Sequence, residues 1–93
     1  DRGWEVRGGA RAPNAKMRPS AYLKNIYYDD MIYRLDTIKY LIGLGGVDHI
    51  MVGTDYPYDL GDWAAAKKIE QLDISEADQL LMLEGNAKRL LRI

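Results

Sequence analysis

The chain has 93 residues, 47% of them hydrophobic and 29% charged, so it can form one small domain or a piece of a larger one. A net charge of −1, with both signs spread along the sequence, argues against nucleic-acid binding. The lack of cysteine excludes disulfides and thiolate metal sites, and no apolar run reaches the ~20 residues needed to cross a bilayer. We therefore expect a cytoplasmic protein without a membrane partner, and a start at Asp1 is typical of an excised segment.

The first quarter of the chain predicts little regular structure. Residues 1–19 are rich in Gly, Pro and basic side chains, which predicts a loop with at most one helical turn. A short helix over residues 21–25 should follow, with Ser20 as its N-cap. Residues 26–29 are β-branched and aromatic up to Asp29, which favours a strand.

The middle of the chain has the pattern of a strand–helix–strand unit. Apolar residues between Leu35 and Leu44 fall at helical spacing, and three glycines at 43, 45 and 46 should end that helix. Residues 47–53 should form the second strand, in which Ile50, Met51 and Val52 are all apolar, as in a strand that is buried on both faces. Residues 20–57 thus predict helix, strand, helix and strand, with the two strands parallel.

The last third, residues 58–93, should be helical. We expect one helix over residues 63–72 capped by Asp62, and a second from Ser75 to about residue 84. Gly85 should break that helix and Asn86 should cap a final one that buries Leu90, Leu91 and Ile93. Two strands against about five helices leave strand edges uncovered, so neighbouring strands are implied.

Each predicted strand ends in a carboxylate. In an α/β barrel the loops after the strand ends build the active site, so Asp55 is a candidate for chemistry. The same residue could instead form an Asx turn that opens a proline loop. Asp29 and Asp30 could join Asp55 in a carboxylate cluster, or they could serve only local turns.

Four motifs in order give the chain a family resemblance. They are Gly3-Trp4-Glu5-Val6-Arg7, the stretch from Tyr22-Leu23 to Ile26-Tyr27-Tyr28-Asp29, the run Gly53-Thr54-Asp55-Tyr56-Pro57, and Gly85-Asn86-Ala87-Lys88-Arg89-Leu90-Leu91. Together they resemble the amidohydrolase-related metal enzymes, and among these the aminocarboxymuconate semialdehyde decarboxylase group and its hydrolase relatives. The set spans nearly the whole chain.

The resemblance implies an α/β fold that is the C-terminal fragment of a (β/α)8 barrel, with residues 1–19 as an active-site loop. It implies that Asp55 is both catalytic and a ligand of a divalent metal, zinc in most of the family. Arg7 would bind a substrate carboxylate and Trp4 would wall the pocket. The family's first-strand His-x-His pair would lie upstream, and the one histidine, His49, stands at the wrong end of its strand, so the fragment itself should bind no metal.

Two functions from different classes follow. The first is the C-terminal part of a metal-dependent hydrolase or decarboxylase that acts on a carboxylated small molecule and is inactive as this fragment. The second is a small non-enzymatic domain whose copies self-associate and complete each other's sheet. The residues leave simpler alternatives: Arg7 could belong to a solvated basic loop, Trp4 could be an ordinary buried aromatic, and His49 could be a surface or satisfied histidine.

Overall fold

The computed structural model describes residues 1–8 and 14–93. These residues form five α-helices and two β-strands, with shorter 3-10 and π segments between them. In chain order they are α1 Arg2–Arg7, a 3-10 helix Pro19–Asn25, β1 Tyr28–Asp29, α2 Leu35–Gly45, a 3-10 turn Val47–His49, β2 Ile50–Met51, α3 Ala65–Glu70, α4 Glu76–Leu80, a π-helical turn Leu81–Gly85 and α5 Asn86–Leu91. Within these ranges, no helix is long and apolar enough to cross a membrane.

The two strands pair in parallel, and this prediction is confirmed. Tyr28 lies opposite Ile50, and Asp29 lies opposite Met51. Each strand is only two residues long, shorter than the sequence predicts, because residues 47–49 form a 3-10 turn and residues 26–27 remain outside the ladder. The helix α2 connects the strands, so their carboxyl ends lie at the same edge of the sheet.

The core lies between the sheet and the helices. It is built from one buried side chain of α2, one of β2, two from α3 and its end, and one of the π turn: Ile38, Ile50, Ile69, Leu72 and Met82. Tyr28 of β1 and Ile32 pack against this cluster. The helix-facing side of the sheet is therefore the side that carries Tyr28 and Ile50.

The bounds of α2 show which glycine ends it. The predicted start at Leu35 is confirmed, but Gly43 lies inside the helix and does not end it. Gly46 does, because its φ of 85° places it in the left-handed region that glycine adopts at little cost, and its N–H donates to the Ile42 carbonyl.

The prediction of a loop with at most one helical turn over residues 1–19 is wrong for its first part. Residues 2–7 form α1, in which Glu5 donates its N–H to the Asp1 carbonyl at 2.9 Å. Glu5 of α1 forms an ion pair with Arg18, which directly precedes the 3-10 helix, and the carboxylate of Asp1, directly before α1, accepts the N–H and the hydroxyl of Ser20. The prediction that Ser20 is an N-cap is wrong. Its hydroxyl donates to the Asp1 carboxylate, and the N-cap position of the 3-10 helix is Arg18.

The C-terminal helices are continuous, which also corrects the prediction. Ser75 caps α4 as expected, since its hydroxyl accepts the Asp78 N–H at 3.1 Å. Gly85, however, keeps helical angles (φ −61°, ψ −43°) and the chain runs through it into α5. The buried amide of Asn86 donates to the carbonyls of Val47 (2.7 Å) and Ile50 (2.8 Å), so it bonds to the strand β2 instead of capping a helix.

The expected burial of the last apolar residues is wrong too. Leu90, Leu91 and Ile93 are 44%, 63% and 83% exposed. These side chains therefore leave an apolar surface at the C-terminus of this chain.

Replacing Asn86 by Leu should lower the free energy of unfolding by about 3 kcal/mol, because one buried and one partly buried carbonyl lose their donor, while the side chain keeps its branching and its number of heavy atoms. Urea denaturation followed by circular dichroism measures the change. The matched control is Asn25→Leu at an exposed position, with an expected change within about 0.5 kcal/mol. Equal effects of the two substitutions would contradict the role given to Asn86.

Candidate active site at the carboxyl ends of the strands

Asp55 lies four residues beyond the end of β2 and is exposed to solvent. Its φ of 57° is in the left-handed region, which aspartate tolerates better than most residues. Its carbonyl accepts the Tyr58 N–H at 2.9 Å, which closes a turn. The side chain thus stands at the edge of the sheet where parallel strands present their loops.

Residues 53–62, here called the Asp55 loop, are fastened to the sheet at their start. The Gly53 N–H donates to Asp30 Oδ1 at 2.8 Å. The Asp30 N–H in turn donates to the Met51 carbonyl at 3.0 Å, which extends the pairing of the strands by one residue. Asp30 therefore bonds to β2 through both its backbone and its side chain.

The end of the same loop is fastened by two further hydrogen bonds. The Asp62 N–H donates to the Thr54 carbonyl at 2.9 Å, which brings the two ends of the loop together. The Tyr33 hydroxyl, from the segment after β1, donates to the Leu60 carbonyl at 2.7 Å. The loop that carries Asp55 is thus closed on itself and held from β1.

Asp30 is the most unusual ionisable group in this region. It is completely buried, its Oδ1 has the Gly53 N–H as donor, and its Oδ2 has no hydrogen-bond partner. Burial raises the pKa of Asp30, since loss of water disfavours the charged form; the Gly53 N–H opposes this, and the negative charges of Asp62 and Asp29 add to it.

Asp29 faces the other way. It is exposed, and its Oδ1 accepts the Met31 N–H at 3.0 Å, which is the Asx turn that the sequence left open as an alternative. Its Cβ lies so close to β2 that a Cβ on Gly53 would come within 2.7 Å of it. Only glycine at position 53 allows this approach.

Asp62 lies before α3, and the prediction that it caps a helix over residues 63–72 is wrong, because α3 spans Ala65–Glu70 and its N-cap position is Ala64. Its Oδ1 accepts the Ala64 N–H at 3.1 Å, although the helix itself begins at Ala65. Its second oxygen forms an ion pair with the partly buried Lys68. The Lys68 ammonium also lies 5.6 Å from the centre of the Tyr33 ring.

Trp4 and Arg7 lie in α1, where Trp4 is half-buried and Arg7 is exposed. The polar contacts of α1 run to Arg18 and Ser20, and none within residues 1–8 and 14–93 joins Trp4 or Arg7 to the Asp55 loop. No hydrogen bond or ion pair of the described residues therefore joins the three predicted site residues.

His49 lies before β2, at the end of the strand opposite to Asp55. Its ring is half-buried against Tyr27, with ring centres 4.7 Å apart. Its Nδ1 is 3.1 Å from Asp48 Oδ1, and this contact lowers the pKa of Asp48. His49 therefore belongs to the packing at the amino end of β2, and it is remote from the carboxyl ends of the strands, where Asp55 lies.

The described part of the chain does not assemble a metal centre. It contains no group of three or more His, Cys, Asp or Glu side chains that could hold an ion. Asp29 Oδ1 accepts the Met31 N–H and Asp30 Oδ1 accepts the Gly53 N–H, and these two carboxylates do not form such a group with Asp55. A zinc site needs three or four protein ligands, and the residues present do not fit a complete one.

A cavity of about 430 Å³ lies beside β1. Its walls come from β1, from the residues that flank β1 and from α2. The lining residues are Tyr27, Tyr28, Asp29, Ile32, Thr37, Tyr40 and Leu41. No residue of β2 or of the Asp55 loop is among them. The cavity is therefore on the side of β1 away from its partner strand, and it is separate from Asp55.

Comparisons with known proteins identify the family of the chain. The family model described as amidohydrolase matches residues 4–93, so the chain belongs to the amidohydrolase family. Its relatives are of the aminocarboxymuconate semialdehyde decarboxylase type. The chain is 30% identical over 92 residues to 2-amino-3-carboxymuconate-6-semialdehyde decarboxylase of Caenorhabditis elegans and 28% identical to that of Dictyostelium discoideum.

Both alignments cover 98% of this chain but only 23% and 26% of the relatives. Among solved structures, the apo form of Metarhizium anisopliae IDCase superposes with a TM-score of 0.70 at 29% identity. That match covers 97% of this chain and 27% of the other. The chain thus spans about a quarter of the length of the proteins it matches.

The close approach at Gly53 predicts opposite effects for two glycines. Gly53→Ala should lower the free energy of unfolding by about 2 kcal/mol or more, because the new methyl group meets the Asp29 Cβ. Gly43→Ala should raise it by up to about 1 kcal/mol, since Gly43 lies inside α2 with nothing within 4 Å of the added Cβ. Thermal and urea denaturation measure both, and a neutral Gly53→Ala would disprove the predicted steric conflict.

Proposed function

We propose that the chain is the C-terminal portion of a (β/α)8-barrel enzyme, a metal-dependent hydrolase or decarboxylase that acts on a carboxylated small molecule. The observation that carries the proposal is the exposed carboxylate of Asp55 in an anchored loop at the carboxyl end of a parallel pair. The relatives' name, which describes the decarboxylation of a carboxylated semialdehyde, supports it. On this proposal the fragment alone is inactive.

The role proposed for Asp55 follows from what either reaction requires. Decarboxylation breaks a C–C bond, releases CO2 and leaves an electron pair on carbon that must take up a proton. Hydrolysis needs a water molecule that loses one. A solvent-accessible carboxyl group can carry the proton in either direction. Its mobility would be limited by the hydrogen bonds that close the Asp55 loop.

Asp55 is also the proposed metal ligand of this chain. It can supply one oxygen, and the remaining ligands would come from the part of the enzyme that lies outside this sequence. Zinc is the metal implied by the family resemblance. The chain alone is not expected to hold it.

Arg7 and Trp4 are proposed to contact the substrate. The exposed Arg7 guanidinium offers a planar pair of donors to a carboxylate, and Trp4 offers an apolar wall. Both lie on α1, which is fastened to the 3-10 helix before β1. The completed barrel would have to bring α1 over the strand ends for this role.

The proposal is tested by replacing the C-terminal quarter of the C. elegans decarboxylase with this chain. The folded chimaera should bind a divalent metal and decarboxylate the relative's substrate, and Asp55→Asn should lower kcat by roughly 10²- to 10⁴-fold. Asp59→Asn is the matched control, since it removes the same charge from another exposed position of the loop.

Arg7→Gln in the same chimaera should raise KM more than it lowers kcat, whereas Arg2→Gln on the same helix should change neither. A folded chimaera without metal and without activity would count against the proposal. So would an active one in which Asp55→Asn has no more effect than Asp59→Asn.

The alternative function, a non-enzymatic domain that self-associates, has its own supporting observation. In the two-stranded sheet each strand pairs on one side only, and large apolar side chains at the C-terminus are exposed. A second copy could cover both. A homo-oligomer of this kind is compatible with the descent of the chain from an enzyme.

Light scattering after size exclusion distinguishes the two states of the isolated chain. Self-association predicts a mass that is a multiple of 10.6 kDa and that falls on dilution. A folded monomer that keeps its mass and its circular dichroism spectrum at all concentrations would exclude the alternative.

A further inference from the structure

We infer that Asp30 is a positioning residue for Asp55. Asp30 acts through its hydrogen bond to the Gly53 N–H, at the point where the Asp55 loop follows β2. The functional meaning of this inference rests on the role proposed for Asp55, whereas the hydrogen bond between Asp30 and Gly53 is independent of that role. Asp30 Oδ1 accepts the Gly53 N–H at 2.8 Å, and Asp55 follows only two residues later. The sequence alone allows Asp30 to serve a local turn or to join a carboxylate cluster with Asp55.

The burial of Asp30 is the first argument. An aspartate that served only solubility or a local turn would be exposed, as its neighbour Asp29 is. Asp30 is completely buried, and a buried carboxylate costs free energy unless donors compensate it. The Gly53 N–H is the one donor on its side chain among the described residues, and Oδ2 has none. The burial of the Asp30 carboxyl group is unfavourable, and the hydrogen bond that its side chain accepts comes from the first residue of the Asp55 loop.

The position of the bond between Asp30 and Gly53 also supports this role. The β ladder ends at Met51, and the Asp30 N–H adds one more backbone bond to the Met51 carbonyl. The Gly53 N–H lies two residues beyond the end of β2. It donates to the side-chain carboxylate of Asp30, where a longer β1 would offer a backbone carbonyl. The carboxylate thus continues the ladder beyond the point where the backbone of β1 turns away, and it sets the direction in which the loop departs.

The groups around Asp30 fix its electrostatic surroundings. Asp62 and Asp29 act on it with like charge, and Lys68 neutralises Asp62 through their ion pair. The Gly53 N–H is the nearest positive dipole. The bond to Gly53 strengthens when Asp30 is ionised, because a carboxylate is a better acceptor than a carboxylic acid.

The inference is tested by amide hydrogen exchange on the 93-residue chain. Asp30→Ala should speed exchange of the Gly53 amide by about tenfold or more, since it removes a charge-assisted hydrogen bond. The amides of Tyr58 and Asp62, whose bonds close the loop, should also speed up. Asp30→Asn keeps an oxygen acceptor and should restore most of the protection. Asp29→Ala is the matched control and should leave the Gly53 amide unchanged.

The Met82 amide in the helical core separates positioning from general stability. If Asp30→Ala speeds exchange of Gly53 and Met82 by the same factor, Asp30 is merely structural and the inference is wrong. An unchanged Gly53 amide would overturn it as well. These outcomes do not depend on activity, so they are distinguishable from failure of the proposed enzyme.

A measurement on the unsubstituted chain covers the case in which Asp30→Ala does not fold. The Gly53 amide proton shift should move with pH together with the Asp30 carboxyl carbon, above the pH at which exposed aspartates titrate, since burial raises the pKa of Asp30. This shift should be absent in Asp30→Asn. A Gly53 shift that does not follow Asp30 would overturn the inference.

Discussion

The structure depends on how closely the two strands approach each other at their carboxyl ends. Gly53 has no side chain, so the backbone of β2 can pass beside the Asp29 Cβ, and its N–H can reach the carboxylate of Asp30. Strands of two residues have little ladder of their own. The side-chain bond from Asp30 and the two bonds from Asn86 therefore supply much of what fixes β2 between β1 and the C-terminal helices.

This constraint connects the core to the candidate site. Tyr28 and Ile50 direct one side of the sheet into the apolar core, while the loop that follows β2 carries Asp55 into solvent. A catalytic carboxylate must be accessible and yet held in place. Here the accessible group stands on a loop closed by its own hydrogen bonds, and the buried Asp30 holds the start of that loop.

The sequence predicts the parallel pair, its connecting helix and the family, because periodicity and ordered motifs depend on neighbours along the chain. It fails where a contact distant in sequence decides. The pair Gly85-Asn86 is typical of a helix end, yet the helix continues because the Asn86 side chain bonds to two carbonyls 36 and 39 residues away in the sequence.

The candidate site has the same limit. Asp30 is a residue type that is common in turns, and only the folded structure shows that it is buried and bonded to Gly53. On the proposed function, whether Arg7 and Trp4 meet Asp55 depends on barrel strands outside this sequence.

The most direct test of the account is the scalar coupling across the hydrogen bond between the Gly53 amide nitrogen and the Asp30 carboxyl carbon. We predict a measurable coupling between these two nuclei at neutral pH in the unsubstituted chain. A Gly53 nitrogen that couples to a different carbonyl, or an Asp30 carboxylate that titrates like an exposed one, would contradict it.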